Sequence, residues 1–247
     1  MAPTLIQGLR RRFSRLNEQA LGTLFGTVVG VDIEQPWVAL TFDDGPHPVA
    51  TPRILDVLAG HGAHATFFMV GSSARRYPEL VERVAAAGHA IGHHTLDHVS
   101  LVGLDRAARR RQILGGAAAI GPLCSPLFRP PYGHLDLATW WLARRHGHDV
   151  IAWSGHAFDW KAQDVATLAG RLRAAMKPGA IVLLHDAPQA GDAEGDGRDR
   201  LVAALDTVLG EVTQPHVVRF VTLPDLLAGG RPRRRRRWRA GAPGVVG

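Results

Sequence analysis

The run Val38-Ala39-Leu40-Thr41-Phe42 is apolar at four of five positions and stops at Asp43-Asp44-Gly45-Pro46. A strand that is apolar on both faces belongs inside a sheet covered on both sides, since a half-solvated strand would alternate. Gly-Pro then turns the chain, leaving two carboxylates at the exit of a buried strand. Successive strand side chains point to opposite faces, so one acid can ligate a metal ion while its neighbour handles a proton. Taken without the rest of the chain, Asp-Gly-Pro is equally ordinary turn chemistry.

Beyond Pro46 the chain alternates strand-like and helical patterns. Thr51-Pro52 reads as an N-cap with proline at the first helical position, leading a helix that Gly60 ends. Strands are predicted at 65–70, 89–92, 127–129, 149–153, 180–184 and 217–221, and helices at 78–88, 104–119, 135–145, 165–176 and 201–209. The Gly- and Asp-rich stretch 191–198 is expected to be a mobile loop. About seven βα units without internal repeats imply an α/β fold, a parallel sheet wrapped by helices. An open doubly wound sheet and a closed barrel share this pattern.

A chain of 247 residues suffices for one such domain. One cysteine, Cys124, rules out an intrachain disulfide framework, so a tight metal site must use His, Asp or Glu. The net charge of +7 is a property of the C-terminus, where Arg231, Arg233 to Arg237 and Arg239 account for seven positive charges. The expected division is a basic and apolar extension over 1–35, a catalytic domain over 36–228 and a disordered Arg-rich tail over 229–247. Such a tail suits an anionic membrane or polymer; nucleic acid is not expected at the near-neutral folded part. The apolar run 21–31 is shorter than the roughly 20 residues a membrane span needs. Asn17-Glu18-Gln19 separates it from the basic cluster Arg10 to Arg12 and Arg15, which is not the layout of a secretory signal. The expected location is cytoplasmic or peripheral to the inner membrane.

Reactive residue types recur just past the predicted strand ends: Asp43 and Asp44, His94 and His98, Arg129, Asp159 and His185. In an α/β barrel those ends open onto one face, so these side chains would converge. His94 and His98 lie four residues apart, which on a helical turn faces both imidazoles one way. With Asp44 they make a two-His, one-carboxylate set with positions left open for water and substrate. Any one of the 13 histidines is otherwise a surface or core residue, the reading held for His61, His64 and His148. His93 diverges from its neighbour and is at most outer support for the ion.

Thr41-Phe42-Asp43-Asp44-Gly45, His94-Thr95-Leu96-Asp97-His98, Arg129-Pro130-Pro131-Tyr132-Gly133, Asp159-Trp160 and Leu183-Leu184-His185 follow the order of the five motifs of the polysaccharide deacetylases. The chain from Pro36 to Leu226 resembles this family, the NodB-homology group or carbohydrate esterase family 4. The resemblance implies a distorted (β/α) barrel and hydrolysis of N-acetyl, sometimes O-acetyl, groups on chitin oligomers, peptidoglycan or xylan. It implies a divalent metal, zinc first, with Co2+, Ni2+ or Mn2+ suiting the same ligands Asp44, His94 and His98. It assigns Asp43 as general base, Arg129 as its tether, His185 as general acid, Asp159 as the partner of that histidine, and the Tyr132 N–H as oxyanion donor. Trp160 and Leu183 match the apolar pocket for the acetyl methyl. Two positions depart from the family pattern: His93 stands where asparagine is common, and Ser154 to Phe158 lack an acidic residue often found there.

The function expected is therefore metal-dependent removal of N-acetyl groups from an acetylated sugar. Its rivals are an amidase acting on a small non-sugar amide, and a binding protein whose arginine tail is the working part.

Overall fold

The computed structural model describes residues 26–188, 198–212 and 218–235. In chain order its elements are β1 (Thr27–Asp32), β2 (Trp37–Asp43), α1 (Ala50–Gly60), β3 (Ala65–Met69), α2 (Gly71–Arg76), α3 (Pro78–Ala86), β4 (Ala90–His93), α4 (Arg106–Ile120) and β5 (Cys124–Phe128). Next come α5 (Leu137–Arg145), β6 (Asp149–Val150), β7 (Gly155–His156), α6 (Val165–Ala175), β8 (Ile181–His185), α7 (Asp199–Val212), β9 (Arg219–Phe220), α8 (Leu223–Ala228) and β10 (Arg231–Arg235). Strands pair in the order β6-β5-β4-β3-β2-β8-β7, with β9 also on β2, and every pairing in this sheet is parallel. The sheet curls into a half-barrel with helices packed outside, a distorted (β/α) barrel rather than an open doubly wound sheet.

β2 sits at the centre because both its faces bury. Val38, Leu40 and Phe42 pack outward against Ile54 and Leu58 of α1 and Leu205 and Val208 of α7, all fully buried. Ala39 belongs to a second cluster with Phe68, Leu127 and Ile181, on the opposite face. Thr41 and Asp43 share the face of Ala39 by the two-residue period of a strand. Each large side chain buried here contributes about 1.5–3 kcal/mol, so the register that places Asp43 at the strand exit is strongly held.

Both boundaries expected for the domain move outward. β1 lies in the segment read as an extension, yet it is buried along its length except for Asp32. It bridges Val28 to Ile151 and Gly30 to Ala180, and the Ala152 N–H donates to Val28 O at 2.7 Å. β1 thereby spans the gap between the β6 and β8 sides of the curled sheet. The segment from Gly229 onward was expected to be disordered, but Arg231–Arg235 forms an antiparallel strand on β1. Like charges do not prevent this, because Arg231 and Arg235 are exposed, Arg233 pairs with Asp32 of β1, and Arg234 is partly buried and reaches Gly26 O and Asp149. The Arg10 to Arg12 cluster, the stretch 191–197 and the tail from residue 236 lie outside the described residues.

Thr51 is not an N-cap. α1 starts at Ala50, and the Thr51 hydroxyl instead accepts from the His47 N–H at 2.8 Å and donates to Asp186 Oδ2 at 2.6 Å. Two short helices absent from the expectation, α2 and α8, come after β3 and β9; the second is capped by Thr222. Among the described residues no helix is long and apolar enough to cross a membrane.

Candidate active site

The carboxyl ends of β2, β4, β5 and β8 supply the site. Asp43, the last residue of β2, pairs across the sheet with His185, the last of β8. Arg129 leaves β5 and crosses the barrel interior with no solvent exposure. Its Nη1 donates to Asp43 Oδ1 at 2.6 Å and Thr41 Oγ1 at 2.9 Å, and its Nη2 to Ala152 O at 3.1 Å. The guanidinium lies over the Phe68 ring, 4.1 Å from the centroid. A charge-assisted contact this short commits one oxygen of Asp43 to Arg129. The other oxygen, Oδ2, lies 3.8 Å from His94 Nε2.

Asp44, His94 and His98 form the one group among the described residues whose ligand atoms cluster within 4.8 Å. Asp44 Oδ1 is 3.4 Å from His94 Nε2 and 3.0 Å from His98 Nε2. Ligand bonds of about 2.0–2.2 Å at tetrahedral angles separate donor atoms by roughly 3.3–3.6 Å, close to this spacing. His94 Nδ1 lies 2.7 Å from Arg129 O, a carbonyl that can only accept. The proton is therefore on Nδ1 and the Nε2 lone pair faces Asp44, the tautomer of a metal-ligating histidine. Burial pushes His94 below its ordinary value against the pull of Asp43 and Asp44, keeping the lone pair available. His98 Nε2 is buried and faces Asp44 Oδ1. The Asp44 carboxyl is held below the usual carboxylate range: burial would raise it, but His98, His185 and His94 outweigh that. A divalent cation fits these three residues.

The imidazoles do not converge by way of a helical turn, as their spacing suggested. Residues 94–98 form a loop in which Thr95 and His98 have positive φ, +68° and +52°, and the rings sit 5.0 Å apart. Several contacts hold that loop. Gln112 of α4 accepts from the Asp97 N–H and donates to its carboxylate, while the N–H groups of Gly71 and Ser72 donate to Thr95 O and Leu96 O. Gly116 of α4 is required here, because a Cβ would sit 2.6 Å from the Thr95 carbonyl.

Across the site, His185 Nδ1 lies 3.2 Å from both oxygens of Asp159, whose Oδ2 also accepts the His185 backbone N–H at 2.9 Å. Burial alone would lower this imidazole; Asp159, with Asp44 and Asp43 behind it, lifts it to about 9. The Trp160 ring stands edge-on to His185 at 5.2 Å. Leu183 shares the His185 face of β8, whereas Val182 and Leu184 pack toward the helices. Tyr132 sits at φ +59° in the turn Pro131–Gly133, its exposed ring 4.8 Å from that of His98. Asp43, Asp44, His94, His98, Arg129, Tyr132, Asp159, Trp160 and His185 thus come together at this face.

Two charged residues here escaped the sequence reading. Arg198, expected only as the end of a loop, is fully buried and ion-pairs with Asp159. Asp186 is also buried and accepts from the Gly45 N–H at 3.0 Å, its carboxyl pushed up to about 7 chiefly by burial. Neither sits in a local pattern that announces a role. His93 turns away from the cluster, stacking on Phe128 at 4.8 Å and meeting His148 edge-on at 4.6 Å. Burial beside His148 and His94 keeps it neutral, so it is a packing residue. The six non-glycine residues with positive φ among the described ones are Asp44, Thr95, His98, Tyr132, Phe158 and Arg198. Each belongs to, or adjoins, a residue of this site, and strained backbone of this kind persists only where surroundings over-determine it.

Comparison with known proteins agrees. Residues 30–151 match the polysaccharide deacetylase family. A peptidoglycan-N-acetylglucosamine deacetylase of Bacillus cereus is 37% identical over 194 residues, covering 77% of this chain and 87% of that protein. A chitooligosaccharide deacetylase of Sinorhizobium fredii is 36% identical over 181 residues, 70% of this chain and 84% of its own. The crystal structure of the Bc1960 peptidoglycan N-acetylglucosamine deacetylase, bound to a naphthyl N-oxidanyl-benzamide, superposes with a TM-score of 0.77 at 30% identity, over 87% of this chain and 98% of that one. With the strand order, the convergent motifs and this degree of likeness in hand, the chain belongs to the polysaccharide deacetylase family, the NodB-homology group of carbohydrate esterase family 4.

Proposed function

We propose that the protein is a metal-dependent hydrolase that removes N-acetyl groups from a glycan of the peptidoglycan or chitin-oligosaccharide type, releasing acetate and a free amine. The observation that carries this reading is the pairing, at one level of adjacent strands, of an Arg-anchored carboxylate and a cationic imidazole beside the Asp44-His94-His98 cluster. The named relatives act on those two substrate classes. A divalent cation held by Asp44, His94 and His98, zinc by preference, supplies the positive charge that polarises the acetyl carbonyl and acidifies the attacking water. Asp43, with Oδ1 held by Arg129, takes the water's proton on Oδ2. The water oxygen bonds to the acetyl carbon, and the Tyr132 backbone N–H meets the oxyanion. His185 gives its Nε2 proton to the sugar nitrogen as the C–N bond breaks, and Asp159 stabilises the imidazolium beforehand. Trp160 and Leu183 form the apolar wall for the methyl group.

The test is acetate release from N-acetylated chitin oligomers and peptidoglycan glycans, alongside small linear and cyclic amides. Chelation is expected to abolish release and added Zn2+ to restore it. Undiminished turnover after exhaustive chelation, or hydrolysis confined to the small amides, would overturn the reading. A contact of the basic strand with an anionic membrane or polymer accompanies it, supported by the exposed Arg231 and Arg235; Arg233 is engaged by Asp32. Vesicle binding that ignores both salt and truncation at 230 would refute that contact.

A further inference from the structure

We propose that Asp186 is a positioning residue for the metal centre: it clamps the turn on both sides of Asp44 and so holds that ligand's backbone in its left-handed conformation. This rests on the reading of Asp44 as a metal ligand. The Asp186 N–H donates to Asp43 O at 3.1 Å, just before Asp44, and Asp186 Oδ1 accepts from the Gly45 N–H at 3.0 Å, just after it. The second oxygen, Oδ2, accepts from the Thr51 hydroxyl, which itself accepts from the His47 N–H. One residue just past β8 therefore fixes three points of the β2–α1 connection, Asp43 O through its backbone N–H and Gly45 and Thr51 through its carboxyl. The connection needs such fixing, because Asp44 sits at φ +80°, a left-handed region that is strained for a residue bearing a side chain. The glycine after it is part of the device: a Cβ on Gly45 would fall 2.1 Å from Asp186 Oδ2. A buried carboxyl that is costly to ionise is a poor choice for stability alone, and an apolar residue would fill the space more cheaply.

The experiment is calorimetric titration of Zn2+ into the chelator-treated full chain, with far-UV circular dichroism to verify folding. Asp186→Ala is expected to weaken zinc binding by roughly 10- to 100-fold, the effect typical of losing an outer partner of a ligand. Asp186→Asn keeps an acceptor for the Gly45 N–H and is expected to stay within about threefold of wild type. Gly45→Ala leaves every charge in place but displaces the carboxylate, and should reproduce the loss even where Asp186→Ala fails to fold. Wild-type affinity in Asp186→Ala or Gly45→Ala overturns the inference. So does an Asp186→Asn loss as large as that of Asp186→Ala, which would make charge rather than the hydrogen bond responsible. A wild-type chain that takes up no zinc overturns the metal reading itself, and is recognisable as such before any variant is titrated.

Discussion

Replacing Asp159 by Asn tests the acid half of the proposed chemistry most directly. Asp159 is buried, contacts His185 through three hydrogen-bond geometries, and is the largest of the influences lifting that imidazole. The rise from 6.5 to about 9 represents about 3 kcal/mol in favour of the protonated form at 1.36 kcal/mol per pKa unit. Without the charge, burial dominates and His185 returns to 6.5 or below. A general acid works only while protonated, so activity is lost as pH rises through its pKa. In metal-loaded enzyme the alkaline limb of kcat for acetate release should move down by about two pH units or more in Asp159→Asn. At pH 7.5 the protonated fraction alone then falls roughly tenfold. The metal-free protein gives a second readout. A folded-state pKa above the unfolded one contributes stability that is complete below pH 6.5 and lost as pH rises to about 9. Asp186, raised to about 7, is half ionised there and shifts stability in the same direction, with most of its effect already spent below pH 7. Between pH 7 and 9 the wild type should therefore lose about 2–3 kcal/mol, lowering Tm by roughly 5–10 °C, with a much flatter profile in the variant. An Asp159→Asn enzyme whose alkaline limb coincides with that of wild type would refute the assignment of His185 as the acid held by Asp159.

His98→Ala removes a proposed ligand, so its zinc affinity should fall further than the roughly 10- to 100-fold expected of an outer partner, measured by the same titration. Arg198→Ala strands the Asp159 carboxylate without its buried guanidinium; unfolding in urea should show a loss of about 3 kcal/mol, with turnover reduced and KM nearly unchanged. Removing residues 231–247 strips β10 from β1 and should lower Tm, whereas removing only 236–247 should leave turnover on soluble oligosaccharide intact.

Much of the site was legible because its chemistry lies at strand ends. Apolar runs that stop at Asp43, Arg129 and His185 mark where buried strands meet solvent, and parallel strands deliver those ends to one face. The geometry between them was less legible. The spacing of His94 and His98 suggested a helical turn, whereas positive φ at Thr95 and His98 turns the rings inward, a conformation no local pattern of ordinary residues announces. Arg198 and Asp186 stayed hidden because an arginine in a Gly- and Asp-rich stretch, or an acid after a strand, looks solvated until something distant buries it. β10 was missed for the same reason: a run of arginines reads as a solvated tail, and only β1, some two hundred residues earlier, offers it a ladder.

The amino-acid sequence by itself determined the α/β order, the apolar centre of β2 and the set of residue types able to hold a cation and move protons. Those properties are local, set by periodicity and side-chain chemistry. Only the tertiary structure decided which oxygen of Asp43 is tied up, which nitrogen of His94 bears the proton, and how Asp44 is gripped from β8. Each depends on groups far apart in the chain, brought within hydrogen-bond distance by burial that no short stretch encodes.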